Sequence, residues 1–181
     1  RFLFAGRLIH WKGAHLAIRA LAEVRRSLPA ATLTLIGAGP EEEWLRNVAK
    51  RLDVSDAVEF AGRLSRKSLI DRLHCYTALV YPSLHDSGGL VVLEALSNGL
   101  PAICLDLGGP GATVKASCGI VVPTADASEA ELVTRIAKAM ASLGSMPADE
   151  SIRLSRGAVD RANELSWARL TARVAGKSAS A

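Results

Sequence analysis

The sequence is poor in aromatic residues, in cysteines and in long apolar runs. Aromatics make up only 4% of its 181 residues, so aliphatic side chains must build any core. Cys75, Cys104 and Cys118 are an odd number with no C-x-x-C pair. This argues against a disulfide framework or thiolate metal site, and for small buried hydrophobes in a reducing compartment. His10, His15, His74 and His85 have no metal-ligand spacing. No apolar run reaches the roughly 18 residues of a membrane span, and no signal-peptide pattern opens the chain. The basic pairs Arg25-Arg26, Lys50-Arg51 and Arg66-Lys67 lack interleaved aromatics or a recognition-helix signature, which argues against nucleic acid as a partner. The net charge of +4 is read mainly as solvated helix faces. It also suits a phosphate-bearing ligand or peripheral contact with an anionic membrane surface.

What is present fits one aliphatic domain. Hydrophobic residues reach 49%, and no Pro/Gly/Ser-rich linker divides the chain. It opens without methionine, inside the apolar stretch RFLFAG, so we expect a piece of a longer protein. Strand-like segments at Phe2–Ala5, Thr32–Ile36, Val58–Ala61, Ala78–Tyr81, Ala102–Leu105 and Gly119–Val122 alternate with helix-like ones. Helices are expected after Gly13, after Pro40, over 64–74 and over 89–98, then over 128–142, 148–163 and 166–175. The stretch Gly108–Gly111 reads as a turn, and the tail GKSASA as disordered. Such alternation predicts an α/β fold, a doubly wound, Rossmann-like parallel sheet. Its domain spans residues 1–165, with a closing helix and tail over 166–181.

Ligands of such sheets sit at the carboxyl ends of the strands. Gly37-Ala38-Gly39 invites a dinucleotide reading, with Glu59 as ribose acid, but the fingerprint fails where Glu42 replaces its third glycine. A tight strand-to-helix turn is the simpler reading. Gly6-Arg7 and Lys12-Gly13 put two cations in one glycine-flanked loop; they either converge on a diphosphate or lie exposed. The stretch PSLHDSGGLVVLEALSNGLP is the most specific. Gly88 and Gly89 let backbone amides approach a ligand, and the helix that starts there offers its positive end to a phosphate. Asp86 has the chemistry to accept sugar hydroxyls and Glu94 that of a ribose diol. The alternative is a capping carboxylate and a paired glutamate. His85 is ambiguous.

Taken in order, GRLIHWKG, LIGAGPEEEWL, VEFAGRL, YPSLHDSGGLVVLEALSNGLPAI, DLGG, GIVVP and the late Ser166-Trp167 resemble the C-terminal half of retaining GT-B glycosyltransferases. These belong to glycosyltransferase family four, "glycosyl transferases group 1". The resemblance runs from about Arg1 to Arg173. It implies a nucleotide-sugar donor, with Arg7 and Lys12 on the diphosphate. Its E-x7-E motif appears as Asp86-x7-Glu94, with the first acid one methylene shorter, and implies Asp86 on the sugar and Glu94 on the ribose. Gly6, the loop Ser87-Gly88-Gly89-Leu90, the base-binding region at Arg63 and Leu64, and the glycine turn Gly37–Gly39 complete the implied donor site. Asp86, Arg7 and Lys12 would be catalytic, with no metal and no cofactor besides the donor. A hydroxyl acceptor would come through an N-terminal domain outside this chain. The expected location is cytoplasmic, or peripheral to the inner face of the membrane. A non-catalytic nucleotide-binding module, or an epimerase or phosphorylase of related fold, remains open.

Overall fold

Four of the short apolar runs become strands that are buried along their whole length. The structure, a computed structural model, describes residues 1–169 and 171. Its elements are β1 (Phe2–Ala5), α1 (Ala14–Val24), β2 (Leu33–Ile36), α2 (Glu42–Arg51), β3 (Val58–Gly62), α3 (Arg66–Ile70) and β4 (Ala78–Tyr81). There follow α4 (Leu90–Ser97), β5 (Ala102–Leu105), α5 (Gly108–Thr113), β6 (Gly119–Val122), α6 (Glu129–Gly144) and α7 (Ala148–Glu164). β1, β2, β4 and β5 are buried at every position. Continuous apolar strands of this kind suit a parallel sheet covered on both faces. Burial lapses only in β3 and β6, which are the edges of the sheet.

The six strands pair in parallel in the order β3-β2-β1-β4-β5-β6, which is the Rossmann-like fold expected from the alternation. The chain winds outward from β1 in one direction and from β4 in the other. The crevice therefore opens beyond the carboxyl ends of β1 and β4, where the strand order reverses. The loops that follow these strands meet there: the Leu84 amide donates to the Trp11 carbonyl at 2.8 Å, and the Ser83 hydroxyl to the same oxygen at 3.1 Å.

Helix α1 buries Leu16, Ala17, Ala20, Leu21 and Val24, the face its period predicts, and packs between α2 and α6. Helix α6 opens with a capping box: the Ser128 hydroxyl accepts from the Glu131 amide, and the Glu131 carboxylate accepts from the Ser128 amide at 2.8 Å. On the other side, α7 packs along α4. There the Arg161 guanidinium donates to the carbonyls of Thr113 and Ala112 at 2.8 and 3.3 Å, satisfying acceptors left open at the end of α5.

Two expectations need correction. The helix expected over 64–74 is shorter, starting at Arg66 behind a Ser65 cap and ending at Ile70, with a separate 3-10 turn over Leu73–Cys75. The glycine-rich Gly108–Gly111 is part of helix α5 and not a turn. Contacts with the loop before α4 override its low helix propensity: a side chain on Gly108 or Gly109 would meet the carbonyl of Asp86 or Ser87, 2.3 and 2.4 Å from the added carbon. Residues 167–169 are helical; the rest of the closing helix and the tail lie outside the described residues. Among the described residues no helix is long and apolar enough to cross a membrane.

On the outer face, His15 is 4% exposed and stacks on His10 at 4.5 Å, with Trp44 5.5 Å away. The Arg19–Glu129 pair borders the same cavity of about 370 Å³. Burial first, then the neighbouring His10, pushes the His15 imidazole down to about 4. His15 is thus neutral when folded, and an unfolded chain takes up its proton near pH 6.5. Its contribution is present above that value and is lost as pH falls from 6.5 towards 4. Denaturant unfolding at a series of pH values should show this loss, and His15→Phe should flatten it. A second test concerns Gly157 in α7, where a side chain would sit 2.0 Å from the Ser117 carbonyl. Alanine usually stabilises a helix interior relative to glycine. Here Gly157→Ala should destabilise by about 1–3 kcal/mol, read by the same unfolding measurement.

Candidate functional site

The loop from β1 to α1 must turn back on itself within a few residues. Gly13 makes this turn, with φ of 76°, and a side chain there would strike the Pro82 carbonyl at 2.0 Å. The turn after β2 comes equally close to that loop. Gly37, with φ of 146°, stands where a side chain would lie 1.8 Å from the Gly6 carbonyl. These approaches bring Gly6, Arg7, Gly37, Arg63 and Leu64 to one cavity of about 300 Å³. Five residues expected in the site therefore meet. Gly39 does not line the cavity; it lies against the Leu8 carbonyl.

Arg7 and Arg63 are exposed, and neither has an ion-pair partner among the described residues. Val91, in the first turn of α4, forms another wall. No earlier helical turn can supply acceptors for the first amides of a helix, so Leu90 and Val91 carry the positive end of α4 towards this edge.

The Asp86 carboxylate lies at the centre of a second cluster. Lys12 Nζ is 2.5 Å from its Oδ2, and the Tyr81 hydroxyl donates to the same oxygen at 2.6 Å. The amides of Gly88 and Gly89 donate to Oδ1 at 3.0 and 2.8 Å. Gly89 then caps α4 in the left-handed region. The amides expected to approach a ligand at Gly88 and Gly89 are thus already occupied by an internal carboxylate. Burial alone would raise the Asp86 carboxyl. Bonds from Lys12, Tyr81, Gly89 and Gly88 outweigh it and hold the group well below the usual carboxylate range. Burial, and then the Asp86 contact, pushes the Tyr81 phenol above its ordinary value.

Glu94 lies elsewhere. It faces a groove of about 550 Å³ shared with Leu90, Arg66 and Trp167, and Arg66 Nε donates to it at 2.7 Å. Helices α3 and α4 line both spaces, with Leu69 and Val91 on the cavity and Arg66 and Glu94 on the groove. Ser87 and His85 are exposed; the His85 carbonyl accepts from the Ser83 hydroxyl at 3.2 Å.

The family model of "Glycosyl transferases group 1" matches residues 1–149. The chain belongs to this family. Among its curated relatives is a glycogen synthase of Mycobacterium tuberculosis, 41% identical over 112 residues, covering 62% of this chain and 27% of the relative. A D-inositol 3-phosphate glycosyltransferase of Acidothermus cellulolyticus is 34% identical over 177 residues, 91% of this chain and 37% of the relative. The chain thus spans less than half the length of these proteins. Solved structures share the fold. The pneumococcal O-GlcNAc transferase GtfA, in complex with UDP and GlcNAc, superposes with a TM-score of 0.81 at 22% identity, over 90% of this chain and 32% of that one. Anabaena Alr3699/HepE in complex with UDP gives 0.75 at 21% identity, over 99% and 49%. The six-stranded Rossmann-like sheet is the fold that the chain shares with these structures.

Two residues of this edge escape a reading of the sequence. Tyr81 is the only residue of β4 with a hydroxyl, a polar tip at the end of an otherwise aliphatic strand. Nothing in the sequence pairs Arg66 with Glu94, 28 positions later. The Lys12–Asp86 contact also bears on stability. Their side chains are 17% and 16% exposed, so the pair is mostly shielded from water. Lys12→Met should lower unfolding free energy by about 1–3 kcal/mol, the range for a charge-assisted bond left unmade. An exposed cation would cost less than about 0.5 kcal/mol. Chemical denaturation of the variant decides between them.

Proposed function

We propose that this chain is the donor-binding domain of a retaining glycosyltransferase, which moves a sugar from a nucleotide sugar to a hydroxyl acceptor. The observation that supports it most is the convergence of Arg7, Arg63 and the first turn of α4 on one cavity at the carboxyl edge of the sheet. Unpaired guanidinium groups and free helix amides are what a diphosphate requires. In this reading the diphosphate lies over the Gly6–Arg7 turn and the start of α4, with Arg63 and Leu64 towards the base. Glu94 takes the ribose diol once Arg66 releases it.

As the sugar–phosphate bond breaks, negative charge grows on the leaving diphosphate. In this reading Arg7, Arg63 and the α4 amides stabilise it in the manner of an oxyanion site, while Lys12 is held by Asp86. Cations and amides then supply what a divalent ion supplies elsewhere, and the anomeric configuration is kept. The acceptor enters from a second domain outside this chain. The full protein is then cytoplasmic, or peripheral to the inner face of the membrane.

Calorimetric titration with UDP, GDP and ADP and with the matching nucleosides tests this. Arg7→Ala should weaken binding of the preferred diphosphate by about 1.5–3 kcal/mol and leave the nucleoside nearly unchanged. Equal losses for nucleoside and diphosphate would remove Arg7 from the phosphate site.

A further inference from the structure

We propose that Asp86 does not read the donor sugar in this chain: it is an internal anion that holds the donor site in shape, and Tyr81 is the residue that commits it to that task. A carboxylate offers about four lone-pair positions. Lys12 and Tyr81 take two on Oδ2, and the amides of Gly88 and Gly89 take two on Oδ1. The carboxylate is saturated, so a sugar hydroxyl offered to it must displace a donor already present.

Each displacement is costly. Releasing Tyr81 strands a hydroxyl on a residue 3% exposed. Releasing Lys12 leaves a shielded ammonium without its counter-charge. Releasing the amides undoes the left-handed turn at Gly89 from which α4 starts. The length of the acid matters here. Aspartate reaches amides two and three residues ahead of itself, as in an Asx turn, and a side chain one methylene longer carries its carboxylate past them. The shorter acid at this position binds its own loop. The main chain reinforces the arrangement, since the Asp86 carbonyl accepts from the Gly109 amide at 2.9 Å, tying the loop to α5.

Asp86 and Tyr81 are thus positioning residues. They orient Lys12 and fix the angle at which α4 presents the Leu90 and Val91 amides, while other groups meet the hydroxyls of the sugar. This rests on the donor-binding reading above for its ligand but not for its geometry.

The test uses the whole chain, Asp86→Ala, Tyr81→Phe and the double variant. Amide hydrogen exchange at Gly88 and Gly89 is followed by NMR without ligand. Calorimetry then compares UDP with UDP-glucose, GDP with GDP-mannose and ADP with ADP-glucose. In Asp86→Ala, which removes the acceptor of both amides, exchange at both glycines should quicken at least tenfold. Affinities for the bare diphosphate and its sugar should change by the same factor, so their ratio stays within about twofold of the unaltered chain. Tyr81→Phe, which touches no ligand, should shift both affinities in the same direction by less, and the double variant should match Asp86→Ala alone. A tenfold fall in the ratio with bare diphosphate binding intact would return Asp86 to the sugar and overturn the proposal. Unchanged exchange at Gly88 and Gly89 would also overturn it, as would a Tyr81 effect that simply adds to that of Asp86. Should none of the six compounds bind the unaltered chain, the donor-binding reading fails, and the exchange measurement still decides whether Asp86 is the anchor.

Discussion

The carboxylate of Asp86 joins parts of the molecule that the chain keeps far apart. Lys12 precedes α1, Tyr81 ends β4, and Gly88 and Gly89 lead into α4. A parallel sheet imposes this arrangement. Its strands all point the same way, so every connection that follows a strand emerges at one edge. β1 and β4 are neighbours from which the chain departs in opposite directions, so their loops emerge side by side. Something must bind those loops to each other. Here the binder is a shielded anion with four donors, with the Trp11 carbonyl as a second tie for the β4 loop.

This arrangement has a consequence for electrostatics. Asp86 neutralises Lys12, and Glu94 neutralises Arg66. The positive potential of the crevice is then left to Arg7, Arg63 and the α4 terminus. In water an isolated arginine attracts a phosphate weakly. Two of them facing a helix N-terminus across a walled cavity do better, because helix dipole and guanidinium charge act on the same volume. At this edge the fold thus pairs Lys12 and Arg66 and leaves Arg7 and Arg63 together on one cavity.

Much of this was legible before any coordinates. The strands were visible as apolar runs of four or five residues, and α1 as a 3.6-residue apolar period, because a buried strand and a half-buried helix leave different patterns of hydrophobicity. The ends of the helices were less legible. α3 is brief and gives way to a 3-10 turn, and α5 forms from glycines whose intrinsic preference is against helix. In both cases packing outweighs local propensity, which no window of sequence records. The glycine-flanked loop of Arg7 and Lys12 and the acidic loop at 86–94 were recognisable as a binding edge, since their residue types have little use in a purely structural turn.

The sequence by itself determined the fold class, the edge on which ligands gather and the family, because these follow from periodicity and from an ordered succession of motifs. Tertiary structure alone decided which groups on that edge are free. Arg7 and Lys12 look alike as cations in one loop, yet one is unpaired and the other is held by Asp86. Asp86 and Glu94 look alike as acids eight positions apart, yet they serve different clusters. Ion pairs and hydrogen bonds depend on distances of a few ångströms between residues as many as 74 positions apart, and only the folded sheet sets those distances.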